Sequence, residues 1–101
     1  MRILTGCQVT SDQFHLGNYF GAVKPFHDMC LPHPEAEKFL FVANMHSLNK
    51  VQDGSLRRNA LNTLKLYLAC GIDPDDVFIY NQADIPAHAQ LERVLGCITH
   101  M

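Results

Sequence analysis

The segment from Gly6 to Asn18 carries the side chains best suited to binding a phosphate or a flat ring. It follows a short apolar run and leads into a helix, whose free N–H groups and positive dipole end attract anions. His15 could donate to a phosphate oxygen, Gly17 would let a flat ring approach the backbone, and Asn18 offers an amide donor and acceptor. Neither G-x-G-x-x-G nor the Walker lysine motif is present, so the segment signals neither a dinucleotide site nor a P-loop. By residue types alone, the alternative is a polar helix cap that binds nothing.

Other histidines and two arginines could also have a chemical role. His27, Cys30 and His33 have the three-residue spacing of metal ligands, but prolines interrupt the segment and no fourth ligand is near, so we expect no metal site. His88 is expected to cap or pack near the start of a helix rather than to catalyse. Arg57 and Arg58 are expected on a solvated helix face.

Composition limits the class of protein. The 101 residues suffice for one domain, and 48% apolar with 18% charged residues describes a globular chain. A net charge of −2 argues against a dedicated nucleic-acid surface, although a few residues could still contact RNA. No apolar run is long enough to span a membrane, and no signal peptide is recognisable. The four cysteines are widely spaced, so we expect free thiols in a cytoplasmic protein.

The hydrophobic pattern alternates between strand and helix. A short apolar run closed by Gly6 predicts a strand, and helical spacing follows, with Pro25 expected to kink the helix. Asp53-Gly54-Ser55 offers an N-cap to a second helix, for which Gly71 is a natural end. The predicted strands are 2–6, 38–44 and 77–80, and the predicted helices are 16–29, 56–70 and 87–99.

This order, β-α-β-α-β-α, predicts a parallel sheet with right-handed crossovers, half of a doubly wound nucleotide-binding fold. Ligands of such sheets bind at the carboxyl ends of the strands, which makes the loop after the first strand the first candidate site. We expect the stripe Leu61, Leu64 and Leu68, widened by Ala60 and Tyr67, to lie in the core. The last helix should present one apolar face made of Leu91, Val94, Leu95 and Ile98.

Four blocks of the sequence together resemble class I aminoacyl-tRNA synthetases, in the form found in bacterial tryptophanyl-tRNA synthetases. The first is similar to the family's His-Ile-Gly-His signature, and the others to its Asp-x-His-Ala, Tyr-Leu-Ala-x-Gly-Ile-Asp-Pro and Gln-Ser-x-Val-Pro-x-His-x-x-Leu segments. They run in the family's order over essentially the whole chain: HLGNYFGA at 15–22, ANMHSL at 43–48, YLACGIDP at 67–74 and NQADIPAHAQL at 81–91.

The chain departs from the family's pattern at three places. The family's Gln-Pro-Ser/Thr-Gly reads Gln8-Val9-Thr10-Ser11-Asp12 here, one residue longer. Asn44 replaces the usual aspartate of the second block. Nothing resembles the second signature, Lys-Met-Ser-Lys-Ser, and the acidic residue that reads the indole N–H has no counterpart here. The resemblance therefore implies the N-terminal part of a catalytic domain over residues 1–101, with a Rossmann-like (HUP-type) fold.

The resemblance also implies roles for individual residues. His15 and Asn18 would be catalytic, and the ATP site would comprise Gln8, Val9, Thr10, His15, Gly17 and Asn18. Leu4 and His46 would line the amino-acid pocket, and no side chain would be a metal ligand, since Mg²⁺ would be bound by the phosphates.

The function implied is a tryptophan–tRNA ligase, which joins L-tryptophan to AMP from ATP and transfers it to tRNA(Trp). The expected assembly is a homodimer in the cytoplasm, and this chain alone is expected to be nearly inactive. The alternatives are a non-catalytic adenine-nucleotide or interaction module and, less favoured, a tyrosine-specific relative.

Overall fold

The computed structural model describes residues 1–8, 15–47 and 55–99. Within them strands and helices alternate as the hydrophobic pattern predicts. The strands are β1 (Arg2–Gln8), β2 (Glu37–Ala43) and β3 (Val77–Asn81). The α-helices are α1 (Leu16–Asn18), α2 (Lys24–Cys30), α3 (Asn44–Ser47), α4 (Leu56–Ala69) and α5 (Ala87–Ile98), with a π-helical turn at Tyr19–Val23 and a 3₁₀ turn at Gln82–Asp84.

The strands form one parallel sheet in the order β1-β2-β3. Leu4 pairs with Phe39, which in turn pairs with Phe78, so the strands stay level across the sheet. The α/β class and the parallel Rossmann-like sheet predicted from the sequence are therefore confirmed.

Only one face of this sheet is covered by helices. Both connections move the chain in the same direction along the sheet, and connections of the same hand then place their helices on the same face. Alternate strand residues, pointing to that face, pack against the first helical segment and α4 in a single core. Its strand members include Ile3, Cys7, Leu40 and Val42, and its helix members include Val23, Phe26, Ala60 and Tyr67.

The helical segment 16–30 passes Pro25 without a break, by a π-helical turn immediately before it. Lys24 donates its N–H to the carbonyl of Tyr19, one residue further back than in an α-helix. In a regular α-helix the Pro25 ring would meet the carbonyl of Gly21, and a wider turn relieves that clash. The kink expected at Pro25 therefore takes the form of a π-helical turn, and Val23 and Phe26 on either side stay fully buried.

The expected leucine core of α4 is wrong for two of its three residues. Leu61 and Leu68 are about half exposed, and Leu64 is only partly buried. Ala60 and Tyr67, which widen the predicted stripe, are buried as expected. The buried face of the helix is completed by Asn59 and Thr63 rather than by the leucines. The small side chains at 60 and 63 let the helix approach the sheet, and the Tyr67 ring then fills the remaining space.

The apolar face of α5 is also uncovered. Its leucines, Val94 and Ile98 are all exposed, and His88 is the one residue of the helix that is partly buried. Across residues 1–8, 15–47 and 55–99, no helix is long and apolar enough to cross a membrane.

Two glycine expectations had different outcomes. Gly71 ends α4 with φ of 88°, as expected for the residue after a helix. Gly6 does not close β1, which continues to Gln8 because β2 extends equally far and pairs with it. Asp53 and Gly54 of the predicted cap lie outside the described residues, and Ser55 directly precedes α4.

A buried lysine joins β2 to the turn before β3. The Lys38 side chain is 4% exposed, and its Nζ donates to both carboxylate oxygens of Asp76, at 2.8 and 2.7 Å. It also donates to the carbonyl of Pro34 at 3.3 Å. Asp76 itself is 57% exposed, so solvent reaches only one partner of this pair.

This asymmetry predicts unequal costs for the two ends of the pair. Asp76→Ala leaves a buried ammonium with one carbonyl partner and should lower the free energy of unfolding by about 2 kcal/mol, below the usual range because Asp76 is exposed. Lys38→Met leaves a solvated carboxylate and should cost about 1 kcal/mol or less. Urea denaturation followed by circular dichroism measures both, and equal costs would contradict the assignment.

Candidate functional site

The carboxyl ends of the three strands meet at one edge of the sheet. Gln8, the last residue of β1, pairs with Ala43, and Val42 pairs with Asn81 at the end of β3. Short helical segments follow two of the strands directly, α3 after β2 and the 3₁₀ turn after β3, while residues 9–14 after β1 lie outside the described residues. This edge is the place where parallel α/β sheets bind their ligands.

The start of α1 brings together three of the predicted site residues. Asn18 Oδ1 accepts the backbone N–H of His15 at 3.2 Å, and the N–H of Asn18 donates to the carbonyl of His15 at 2.9 Å. The imidazole of His15 lies against Gly17, where a Cβ atom would come within 2.9 Å of its Cε1 and Nδ1. All three residues are accessible, since His15 and Gly17 are exposed and Asn18 is half-buried.

An open groove runs beside this helix start. It is lined by His15, Leu16, Gly17, Tyr19 and, from the end of α4, Cys70. Cys70 was not predicted as a neighbour of the histidine, because no sequence pattern relates the end of α4 to the start of α1. All four cysteines of the chain are free thiols, as expected.

The segments after β2 and β3 are tied together by two hydrogen bonds. His46 Nδ1 and Gln82 Oε1 are 3.2 Å apart, and Asn44 Oδ1 accepts the N–H of Ala83 at 3.0 Å. His46 is exposed, whereas Gln82 is only 8% exposed. Asn44 therefore keeps the acceptor that the family's aspartate would supply, without its charge.

The uncovered face of the sheet is aromatic. Phe39 stacks on Phe78 with ring centroids 5.2 Å apart, and Phe41 stacks on Tyr80 at 5.7 Å. His88 continues the second stack at 5.9 Å from Tyr80, nearly parallel to it, which agrees with the packing role expected of this histidine.

Leu4 shares this uncovered face and is 56% exposed. It lies beside Phe39, on the same side of β1 as Gln8 because the two are four residues apart. An apolar ring of a ligand bound on the uncovered face next to β1 would contact Leu4.

A buried tyrosine of α4 is hydrogen-bonded to the backbone of β2 on the covered side of the sheet. The Tyr67 hydroxyl donates to the carbonyl of Phe41 at 3.3 Å and lies next to Cys7. Burial raises the pKa of Tyr67 far above its usual range, so the hydroxyl stays protonated and keeps donating. Burial also raises the pKa of the Cys7 thiol, which makes Cys7 a packing residue rather than a nucleophile.

The structure thus groups the predicted residues in three places. His15, Gly17 and Asn18 share one helical turn, while Gln8 is the last residue of β1 and His46 follows the end of the neighbouring β2. Leu4 lies about 13 Å before Gln8 along β1. Val9 and Thr10 lie outside the described residues.

Sequence reasoning missed Gln82 as a functional candidate. Its signal was its position directly after the third strand, at the same edge as the other site residues. For the metal alternative, no group of three or more His, Cys, Asp or Glu side chains in the described ranges could hold an ion.

A parallel sheet with helical connections and a His-Gly-Asn turn after its first strand places the chain in the Rossmann-like α/β class. The profile of the family described as tRNA synthetases class I (W and Y) matches residues 1–101. The chain belongs to this family.

The chain is similar to bacterial tryptophan–tRNA ligases. The chain is 44% identical over 100 residues to the ligase of Mycobacterium leprae, covering 97% of the chain and 29% of that protein. It is 43% identical over 98 residues to the ligase of Xanthomonas axonopodis pv. citri, covering 96% of the chain and 22% of that protein. The chain therefore spans less than a third of the length of these relatives.

Solved structures agree with the sequence relatives. A Campylobacter jejuni tryptophanyl-tRNA synthetase complexed with ADP and tryptophan superposes with a TM-score of 0.82 at 37% identity, over 100% of this chain and 31% of the other. The Mycoplasma pneumoniae synthetase gives a TM-score of 0.84 at 29% identity, over 98% of this chain and 29% of the other.

Gly17 and Gly21 offer a matched pair of substitutions on one helical segment. Gly17→Ala should displace the His15 ring, because the added Cβ would lie 2.9 Å from it, whereas a Cβ at Gly21 meets nothing within 4 Å. The His15 imidazole signals in NMR spectra should shift in Gly17→Ala and stay in place in Gly21→Ala. Since the clash involves only a movable ring, stability should change by less than about 1 kcal/mol. Unmoved His15 signals in Gly17→Ala would contradict this geometry.

Proposed function

We propose that residues 1–101 form the first part of the catalytic domain of a tryptophan–tRNA ligase. The protein would activate L-tryptophan with ATP, release pyrophosphate, and transfer the aminoacyl group to tRNA(Trp). The observation that carries the proposal is the His15-Gly17-Asn18 turn at the carboxyl edge of the sheet, in a chain 44% identical to a tryptophan–tRNA ligase.

The chemistry calls for positioning and charge stabilisation. The tryptophan carboxylate attacks the α-phosphorus of ATP and pyrophosphate leaves, so negative charge builds on the phosphate oxygens. No covalent enzyme intermediate is needed, and catalysis rests on alignment and on donors aimed at that charge.

The turn at the start of α1 supplies such donors. The His15 ring lies against Gly17 at the exposed start of the helix, so it can turn toward a phosphate. The Asn18 side chain holds the backbone of the turn, which keeps His15 at the helix start, where the dipole also favours anions. Gln8 would contact ATP from the end of β1, and Gly17 leaves room for the adenine ring once His15 moves away.

Mg²⁺ would enter with ATP. It prefers phosphate oxygens and water to an all-protein cage, which fits a site whose described residues include no metal-binding cluster. The ion would neutralise charge on the departing pyrophosphate.

The amino-acid pocket would use the open face and the edge of the sheet. Leu4 offers an apolar contact for the indole, and His46 lies after β2, where the charged end of the amino acid would reach the phosphate. The ADP and tryptophan of the Campylobacter jejuni complex support this pairing of ligands. We infer the cytoplasm as the compartment, because the reaction consumes ATP and tRNA.

Pyrophosphate exchange tests the function. In the protein that carries these residues, exchange into ATP should require L-tryptophan, with L-tyrosine inactive. His15→Ala should lower the exchange rate by about 10²-fold or more, because a donor to the developing charge is lost.

The matched control is His33→Ala, since His33 lies in the turn before β2, where its side chain faces Glu35. It should exchange at the wild-type rate. Tryptophan-independent exchange, or a His15→Ala variant as active as His33→Ala, would overturn the assignment.

We further propose that the chain associates with a second copy, as a homodimer. Support comes from the aromatic face of the sheet and from α5, whose Leu91, Val94 and Ile98 are exposed. Patches of this kind are larger than a stable monomer usually leaves in water.

Light scattering over a dilution series measures this association. The chain should show a mass above 11.4 kDa that falls on dilution. Leu91→Gln with Val94→Gln should shift the mass toward the monomer, whereas Arg93→Gln on the same helix should not. A constant mass of 11.4 kDa at every concentration would instead favour a self-sufficient binding module.

A further inference from the structure

The strongest feature outside the ATP turn is the contact between an exposed histidine and a buried glutamine. His46 belongs to α3 and Gln82 to the 3₁₀ turn, and both segments begin where their strands end. The parallel register of β2 and β3 therefore brings the imidazole of His46 close to the amide of Gln82.

The contact decides the protonation of the imidazole. Gln82 presents its amide oxygen to His46 Nδ1 at 3.2 Å, and an amide oxygen can only accept. Nδ1 must then carry the proton, and in the neutral ring Nε2 is left with a lone pair. Within residues 1–8, 15–47 and 55–99, Nε2 has no hydrogen-bond partner.

The glutamine is held firmly enough to impose this choice. It is 8% exposed, and its backbone carbonyl accepts the N–H of Ile85 at 3.2 Å. The neighbouring bond from Ala83 N–H to Asn44 Oδ1 fixes the same two segments, and Ser47 Oγ donates to the carbonyl of Ala43. Both partners of the contact therefore stand on anchored backbone.

We propose that Gln82 is a positioning residue that holds His46 in the Nδ1–H tautomer, so that Nε2 accepts a hydrogen bond from the α-ammonium group of the amino-acid substrate. This inference rests on the proposed function. The ammonium is the favoured donor because a hydrogen bond from a charged group is about twice as strong as one between neutral groups. His46 is also exposed at the sheet edge, whereas the apolar surface suited to an indole lies on the face that carries Leu4 and Phe39.

The first test needs no substrate and no variant. Long-range ¹H–¹⁵N NMR of the protein carrying these residues should show His46 as the Nδ1–H tautomer at a pH where the ring is neutral. An Nε2–H tautomer in the wild-type protein would overturn the proposal while leaving the proposed function intact.

The second test separates the ammonium from the indole. Gln82→Leu should raise the KM for tryptophan about tenfold, the loss of one hydrogen bond to a charged group, and leave kcat and the KM for ATP unchanged. Inhibition by indole-3-propionate, which lacks the ammonium, should not change. Gln90→Leu, a glutamine on the exposed surface of α5, is the matched control and should behave as wild type.

Two outcomes of this second test would contradict the proposal. Equal weakening of tryptophan and indole-3-propionate would make His46 a wall of the pocket rather than an acceptor. A fall in kcat and a rise in both KM values together would make Gln82 a purely structural residue. If Gln82→Leu unfolds, Gln82→Met replaces it, and the wild-type tautomer still decides. Absence of tryptophan-dependent exchange in the wild-type protein contradicts the proposed function instead.

Discussion

The level, parallel pairing of the three strands is the constraint on which the rest of the structure depends. Because β1, β2 and β3 run in the same direction and stay in register, their carboxyl ends meet at one edge. Polar residues that are far apart in the chain, such as Gln8, Asn44 and Gln82, become neighbours only through this pairing. The same pairing brings the amino ends of the strands together at the opposite edge of the sheet, where Lys38 and Asp76 form an ion pair.

The one-sided cover of the sheet follows from the same geometry. The helical segment 16–30 and α4 both pack on the face that carries Leu40 and Val42, so hydrophobic burial is concentrated there. The other face keeps its aromatic ladder in contact with solvent and with His88 alone among the residues of α5. The two faces therefore differ: the covered face holds the chain together by hydrophobic burial, and the other face remains exposed.

The buried polar groups of the chain serve to hold these layers in place. Tyr67 reaches across the core to the backbone of β2, and Lys38 reaches from β2 to the turn before β3. Each of these contacts joins elements that are distant in sequence, and each leaves its buried donor satisfied, as low local polarity requires. The turn at His15, by contrast, is held only by local hydrogen bonds, which leaves the imidazole accessible.

The sequence by itself determined the element order, the parallel sheet, the position of the His15-Gly17-Asn18 turn at a helix start and the family, because local periodicity and short motifs are properties of neighbouring residues. The tertiary structure alone decided that Thr63 is buried beside Ala60 and Tyr67 on α4, while Leu61 and Leu68 of the predicted stripe stay about half exposed. It alone decided that α5 stays uncovered and that Pro25 is passed by a π-helical turn. The pairing of His46 with Gln82 belongs to the same group, because the two residues are separated by 36 positions and meet only when β2 and β3 align.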